Sequence, residues 1–126
     1  MEPTEQDRHR KDCEHGVRHF ERVLRLALNL ASCGVAIHKH NYDPHFNSAW
    51  ELVAGTHTHA LKFFWDARDQ FFTMRQAELK DSGYGTVKMP YDHEWQLVGE
   101  ESVDVRGGAD EMEFLERYLR AKYVAS

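Results

Sequence analysis

The chain has 126 residues, 41% of them apolar, with 3 Trp, 5 Tyr and 7 Phe, which is enough for one domain with a sizeable core. No apolar run reaches the ~20 residues that a bilayer-spanning helix needs, and the opening MEPTEQDRHRKDCEHG is charged throughout, unlike a secretory leader. The net charge of −5 disfavours direct binding to nucleic acid.

In chain order, residues 7–33 read as an amphipathic helix ended by Gly34. Cys13, Val17, Phe20, Leu24, Ala27, Leu28 and Ala31 form its apolar side, which is expected to be buried. Lys11, His15, Arg18, His19, Arg22 and Arg25 form the other side, read as a solvated basic stripe. Cys13 and Cys33 lie about 30 Å apart on such a helix, too far for a disulfide, which fits a reducing, cytoplasmic setting.

Val35 to Tyr42 reads as an extended connector, and residues 44–80 as one long aromatic helix capped by Asp43 and Pro44. Trp50, Val53, His57, Ala60, Phe64, Ala67, Phe71 and Met74 recur within it at steps of three and four. Thirty-seven helical residues span about 55 Å, whereas a chain of this size has a radius of gyration of roughly 14 Å. The helix must therefore kink at Gly55, or project and bury its end against a second copy. Packed antiparallel against the first helix, it would set Glu21 against His57 and Glu14 against Arg68.

After Gly83 the periodicity changes to two, and residues 85–106 read as a small antiparallel β-meander with an acidic outer face. Gly107-Gly108 reads as a hinge before a final helix over 110–124, opened by Asp110 and Glu113 as a capping box. The expected fold is mainly α within the α+β class: a long antiparallel helical hairpin, a small meander and a C-terminal helix.

Nine histidines stand out. His38, His40 and His45 with Asp43 bring imidazoles and a carboxylate into one short stretch, a donor set that suits zinc or iron. The plainer reading is a polar loop. His15 and His19 share a helix face at the spacing of a chelating pair, although Arg18 and Arg22 oppose a cation. His57 oriented by Glu21 would suit acid–base chemistry, and would equally be a satisfied buried histidine. No nucleophile elbow, phosphate loop or paired-carboxylate signature occurs.

The pattern points to a binding module more than to an enzyme. It describes a small cytoplasmic subunit, regulator or inhibitor that self-associates through the aromatic helix. Glu94, Trp95, Glu100, Glu101 and Asp104 would present an acidic face to a larger protein. The alternative is a small metal-binding protein or enzyme that uses the His38/His40/His45 loop.

Overall fold

A computed structural model describes residues 4–42, 49–85, 87–102 and 110–124, with backbone alone for 100–102. Helix α1 spans Glu5–Ala31. Strands β1 (Ala36–Tyr42), β2 (Trp50–Gly55), β3 (His59–Asp66) and β4 (Phe71–Glu78) follow. A short pair, β5 (Lys80–Asp81) and β6 (Val87–Lys88), comes next, then a 3-10 turn at Asp92–Glu94, β7 (Gln96–Ser102) and helix α2 (Glu111–Tyr123). The main sheet is antiparallel, in the order β1-β2-β3-β4-β7.

The expected long helix over 44–80 is absent: residues 50–78 form three strands, so the mainly α helical hairpin gives way to a two-layer α+β fold. The physical reason lies in the aromatic runs. Leu61, Phe63 and Trp65, then Phe72 and Met74, are buried at steps of two, while Lys62, Phe64, Thr73 and Arg75 face the other way. Aromatic residues pack well on a pleated surface. The seven-residue recurrence marks no single face: Trp50, Val53, Ala60 and Met74 are buried, whereas His57 lies exposed in a turn and Phe64 on the opposite side of its strand.

Both turns have local chemistry that stops a helix. At the first, the Thr56 hydroxyl accepts from the amides of Thr58 at 3.3 Å and His59 at 3.2 Å. A Cβ on Gly55 would lie 2.2 Å from the His59 carbonyl oxygen, so only glycine fits there. At the second, Asp66 Oδ1 accepts from the amides of Arg68 and Asp69, each at 3.0 Å. Gln70 closes that turn in the left-handed region at φ 58°.

Several other expectations fall with the hairpin. Gly55 ends a strand and kinks nothing. His57 is exposed in the first turn and Arg68 in the second, while Glu21 and Glu14 are exposed on α1, so neither expected buried pair exists. No overlong aromatic helix exists among the described residues to bury its end against a second copy.

Both helices pack on one face of the sheet. Leu26 and Leu30 of α1 and Met112, Leu115 and Leu119 of α2 are buried against Trp50, Leu52, Phe63, Phe72 and Met74. A smaller cluster of Val53, Ala60, Leu79 and Trp95 covers part of the opposite face, with the Lys62 ammonium 4.6 Å above the Trp95 ring. The expected meander over 85–106 divides: β6 pairs with β5 and β7 with β4. Helix α2 starts at the expected cap, Asp110, whose Oδ1 accepts from the Met112 amide at 2.7 Å and the Glu113 amide at 3.4 Å, a cap made by the Asp110 side chain alone and not the reciprocal capping box.

Candidate functional site: the two sides of the first helix

Helix α1 is where the chain most departs from a self-contained fold. Thr4 caps it, accepting from the Asp7 amide at 3.1 Å while the Asp7 carboxylate accepts from the Thr4 amide at 3.3 Å. Gly34 terminates the exit at φ 80°. The helix is about 40 Å long, yet no residue from Glu5 to Arg18 is buried; His19 is the first that is.

The side expected to be buried faces solvent. Val17 is 58% exposed, Phe20 54%, Leu24 59% and Leu28 64%. Cys13 and Ala31 are exposed on the same side. The sheet instead takes the side that carries His19, Leu26 and Leu30, with Val23 and Arg22 beside them. Part of the expected solvated stripe is thus the docking side of the helix.

His19 makes that possible by finding a partner on the sheet. Its ring stacks on Tyr42 with centroids 4.1 Å apart, and its Nε2 lies 2.9 Å from Nε2 of His40 on β1. His40 Nδ1 lies 2.9 Å from the Glu51 carbonyl oxygen. That carbonyl can only accept, so Nδ1 of His40 carries hydrogen and its Nε2 accepts from His19. Trp50 and Phe20 flank the pair. Burial, then the neighbouring His40 and Arg22, lower His19 to about 4, and burial lowers His40 as well. Both imidazoles are therefore neutral at pH 7.

One turn onward, Arg22 reaches α2. Its guanidinium donates to Asp110 Oδ1 at 2.7 Å and meets Glu111 Oε1 at 2.9 Å. Burial works against the charge of Asp110, but the Arg22 guanidinium and the Met112 amide outweigh it and hold the carboxyl below its ordinary value. Asn29 ties the far end of α1 to α2 by donating to Glu116 at 2.8 Å.

The expected site residues separate. His38 and His40 do not converge: His38 Nε2 lies 3.0 Å from the Thr56 carbonyl oxygen, and His40 is held at the Glu51 carbonyl, five residues away along β2, roughly 16 Å. Asp43 and His45 lie outside the described residues, as do Asp104 and the Gly107-Gly108 hinge. His15 is exposed and accepts from Arg18 at 3.2 Å, so the expected His15–His19 pair is divided between two sides of the helix. His57 and Glu21, apart and both exposed, form no acid–base pair.

Of the acidic-face residues, Trp95 is buried beneath Lys62 and presents no contact surface. Glu94 accepts from the Tyr91 amide at 3.0 Å and lies 3.7 Å from Lys80. Glu100 and Glu101 lie on β7, an edge strand. Among the described residues no group of three or more His, Cys, Asp or Glu is arranged to hold a metal ion. A groove of about 570 Å³ at the other end of the sheet is lined by His59, Glu78, Lys80, Glu94, Lys122 and Tyr123. Lys80 pairs with Glu94 there, His59 lies 4.0 Å from Glu78, and Lys122 makes no ion pair among the described residues.

The His19–His40 contact crosses 21 residues between a helix and a strand, and no local spacing in the sequence marks it. A usable signal did exist for the exposed seam: 13, 17, 20, 24, 27 and 31 follow the four-three alternation of a coiled-coil stripe. Among the described residues no helix is long and apolar enough to cross a membrane. No family model, curated protein or solved structure matches this chain.

Proposed function

We propose that this chain is a protein-binding module, rather than a catalyst, whose contact surface is the solvent-facing side of α1. The observation that carries this is the exposure of Val17, Phe20, Leu24 and Leu28 in one continuous row. Together they expose roughly 400 Å² of apolar side chain, the size of the largest such patch on a typical monomer, which is often a contact site. Helices of about a dozen residues are marginal in water without packing, and the first fourteen residues of α1 bury nothing. A partner laid along the row would supply that packing.

The test uses the doubly substituted chain Val17→Glu, Leu24→Glu. Neither side chain belongs to the core, so the substituted monomer keeps its fold by circular dichroism. Cross-linking and mass spectrometry on both forms in cells should show partners of the native chain that vanish with the substituted one. Identical cross-link patterns for the two would overturn the reading.

A second reading, a bound transition metal, is favoured by one observation: two neutral imidazoles with Nε2 atoms 2.9 Å apart. Metal–nitrogen bonds of about 2.0–2.1 Å give that separation at the right angle of a six-coordinate ion and about 3.4 Å at the tetrahedral angle of zinc, so the pair would open by roughly half an ångström to hold zinc. The donors would be His19 and His40, with the Glu51 carbonyl orienting His40 from behind. Elemental analysis of untagged protein decides it: near-stoichiometric zinc or iron that is lost in His19→Phe supports the site, and metal-free protein refutes it.

A further inference from the structure

We infer that the occupant of the α1 seam is a second copy of this chain, with its α1 running in the opposite direction and crossing at Phe20. This inference rests on the protein-binding reading above. It is drawn from the way the exposed side of the helix matches its own reverse.

Set Phe20 opposite Phe20 in a reversed copy, and position n faces position 40 − n. Val17 then comes within one residue of Leu24, and Cys13 within one residue of Leu28, so Val17, Phe20 and Leu24 each meet another large exposed apolar side chain and Leu28 meets the Cys13 thiol. The rim follows the same arithmetic. Glu14, Arg18, Glu21 and Arg25 alternate in sign along the edge of the seam that lies away from the sheet. In the reversed copy Glu14 comes within one residue of Arg25, and Arg18 within one residue of Glu21. Opposite charges at the rim fix orientation and register more than they add affinity. A parallel pair would bring this charged row to the other edge of the partner seam, where Gly16, Val23 and Ala27 offer no charge.

The length of the helix fits as well. The part of α1 with no buried residue, Glu5 to Arg18, lies along the docked half of the other copy, and the reverse holds by symmetry. The overlap is roughly 35 Å of two helices, each about 10 Å across. Contact on that scale is of the order of the ~1,000 Å² of total buried surface that a specific interface needs. Gly16 adds a separate indication. A Cβ placed on it meets nothing within 4 Å in the single chain, and a mid-helix glycine weakens the helix by about 1 kcal/mol relative to alanine. In the pair, Gly16 comes level with Leu24 of the reversed copy, at the uncharged edge of the seam, where a missing side chain leaves room for close approach.

The experiment has two arms. Light scattering on the purified 126-residue chain should give a mass twice 14.8 kDa, and Leu24→Glu should return it to a single chain with its helix and strand content intact. The second arm removes Cys33 as serine, leaving Cys13 as the sole thiol. Oxidation with diamide should then give no covalent dimer, because the two Cys13 residues stand about 21 Å apart along the reversed helices. Adding Leu28→Cys should give one readily, through the 13–28 contacts. A covalent Cys13–Cys13 dimer in high yield would overturn the antiparallel arrangement. A monomer at all concentrations that still shows seam-dependent cross-links to another protein would overturn self-pairing and leave the binding reading standing. A monomer without such cross-links would overturn both.

Discussion

Nε2 of His19 lies 2.9 Å from Nε2 of His40, so a single shared hydrogen joins the first helix to the first strand. The pair is neutral because burial, reinforced for His19 by His40 and Arg22, disfavours the imidazolium. In the unfolded chain each would titrate near 6.5. The folded chain therefore binds fewer protons than the unfolded one between pH 6.5 and about 4, and stability falls as pH drops through that window. Unfolding free energies from urea titrations at pH 7.5, 5.5 and 4.5 should decline by about 2 kcal/mol in total. The decline should shrink in His19→Phe, which keeps the stack on Tyr42 but has no proton to take up. A native midpoint that stays level down to pH 4.5 would refute the assignment.

Gly55 allows no side chain, because the β2–β3 turn brings the His59 carbonyl oxygen within 2.2 Å of where a Cβ would sit. Both clashing groups are backbone, so relief requires opening the hairpin. Gly55→Ala should cost about 3 kcal/mol or more. Loss of less than 1 kcal/mol in chemical denaturation would mean that the turn is looser than described.

Gln70 occupies the left-handed region at φ 58°, a conformation that costs a side-chain-bearing residue roughly 1 kcal/mol relative to glycine. Gln70→Gly should raise the thermal midpoint by a few degrees, as read by circular dichroism. Gln70→Val, with its branched Cβ, should lower it.

Arg22 is the ionic link between the helices, bridging Asp110 and Glu111 at the start of α2. Its carboxylate partners are partly solvated, so Arg22→Met should cost only about 1 kcal/mol. The more telling readout is Asp110: without the guanidinium its carboxyl should titrate nearer its ordinary value, which NMR of the labelled side chain can follow. An unmoved Asp110 would show that the Met112 and Glu113 amides alone hold it down.

Both helices were legible in the sequence, since each has an apolar stripe at helical period and a clear terminator or cap in Gly34 and Asp110. The middle was not. Phe63-Phe64-Trp65 and Phe71-Phe72 are long enough runs to satisfy a helical seam and a pleated strand at once, and periodicity alone cannot separate the two. The decisive signals were the turn formers, Thr56 and Asp66, whose hydrogen bonds to nearby amides give the backbone a local alternative to a helix. The outward side of α1 is not legible in the sequence for a different reason. Burying the more apolar side of α1 is the natural assumption, but the sheet accepts His19 because His40 satisfies it, and that partnership depends on a tertiary contact. Thus the spacing of Val17, Leu24 and Leu28 shows a coherent row, but only the fold shows that the row faces solvent.

The strand order has a kinetic consequence. Sheet neighbours β1 through β4 are also chain neighbours, joined by tight turns where the connection is described. Each pairing closes a short loop, at small entropic cost. Helices α1 and α2 touch only across the whole length of the chain, through links such as Asn29 to Glu116. Hairpins therefore zip early, and the encounter of the two ends comes last. The sheet then spends part of the folding reaction with its aromatic face uncovered, which makes refolding yield, more than refolding rate, the quantity most sensitive to protein concentration.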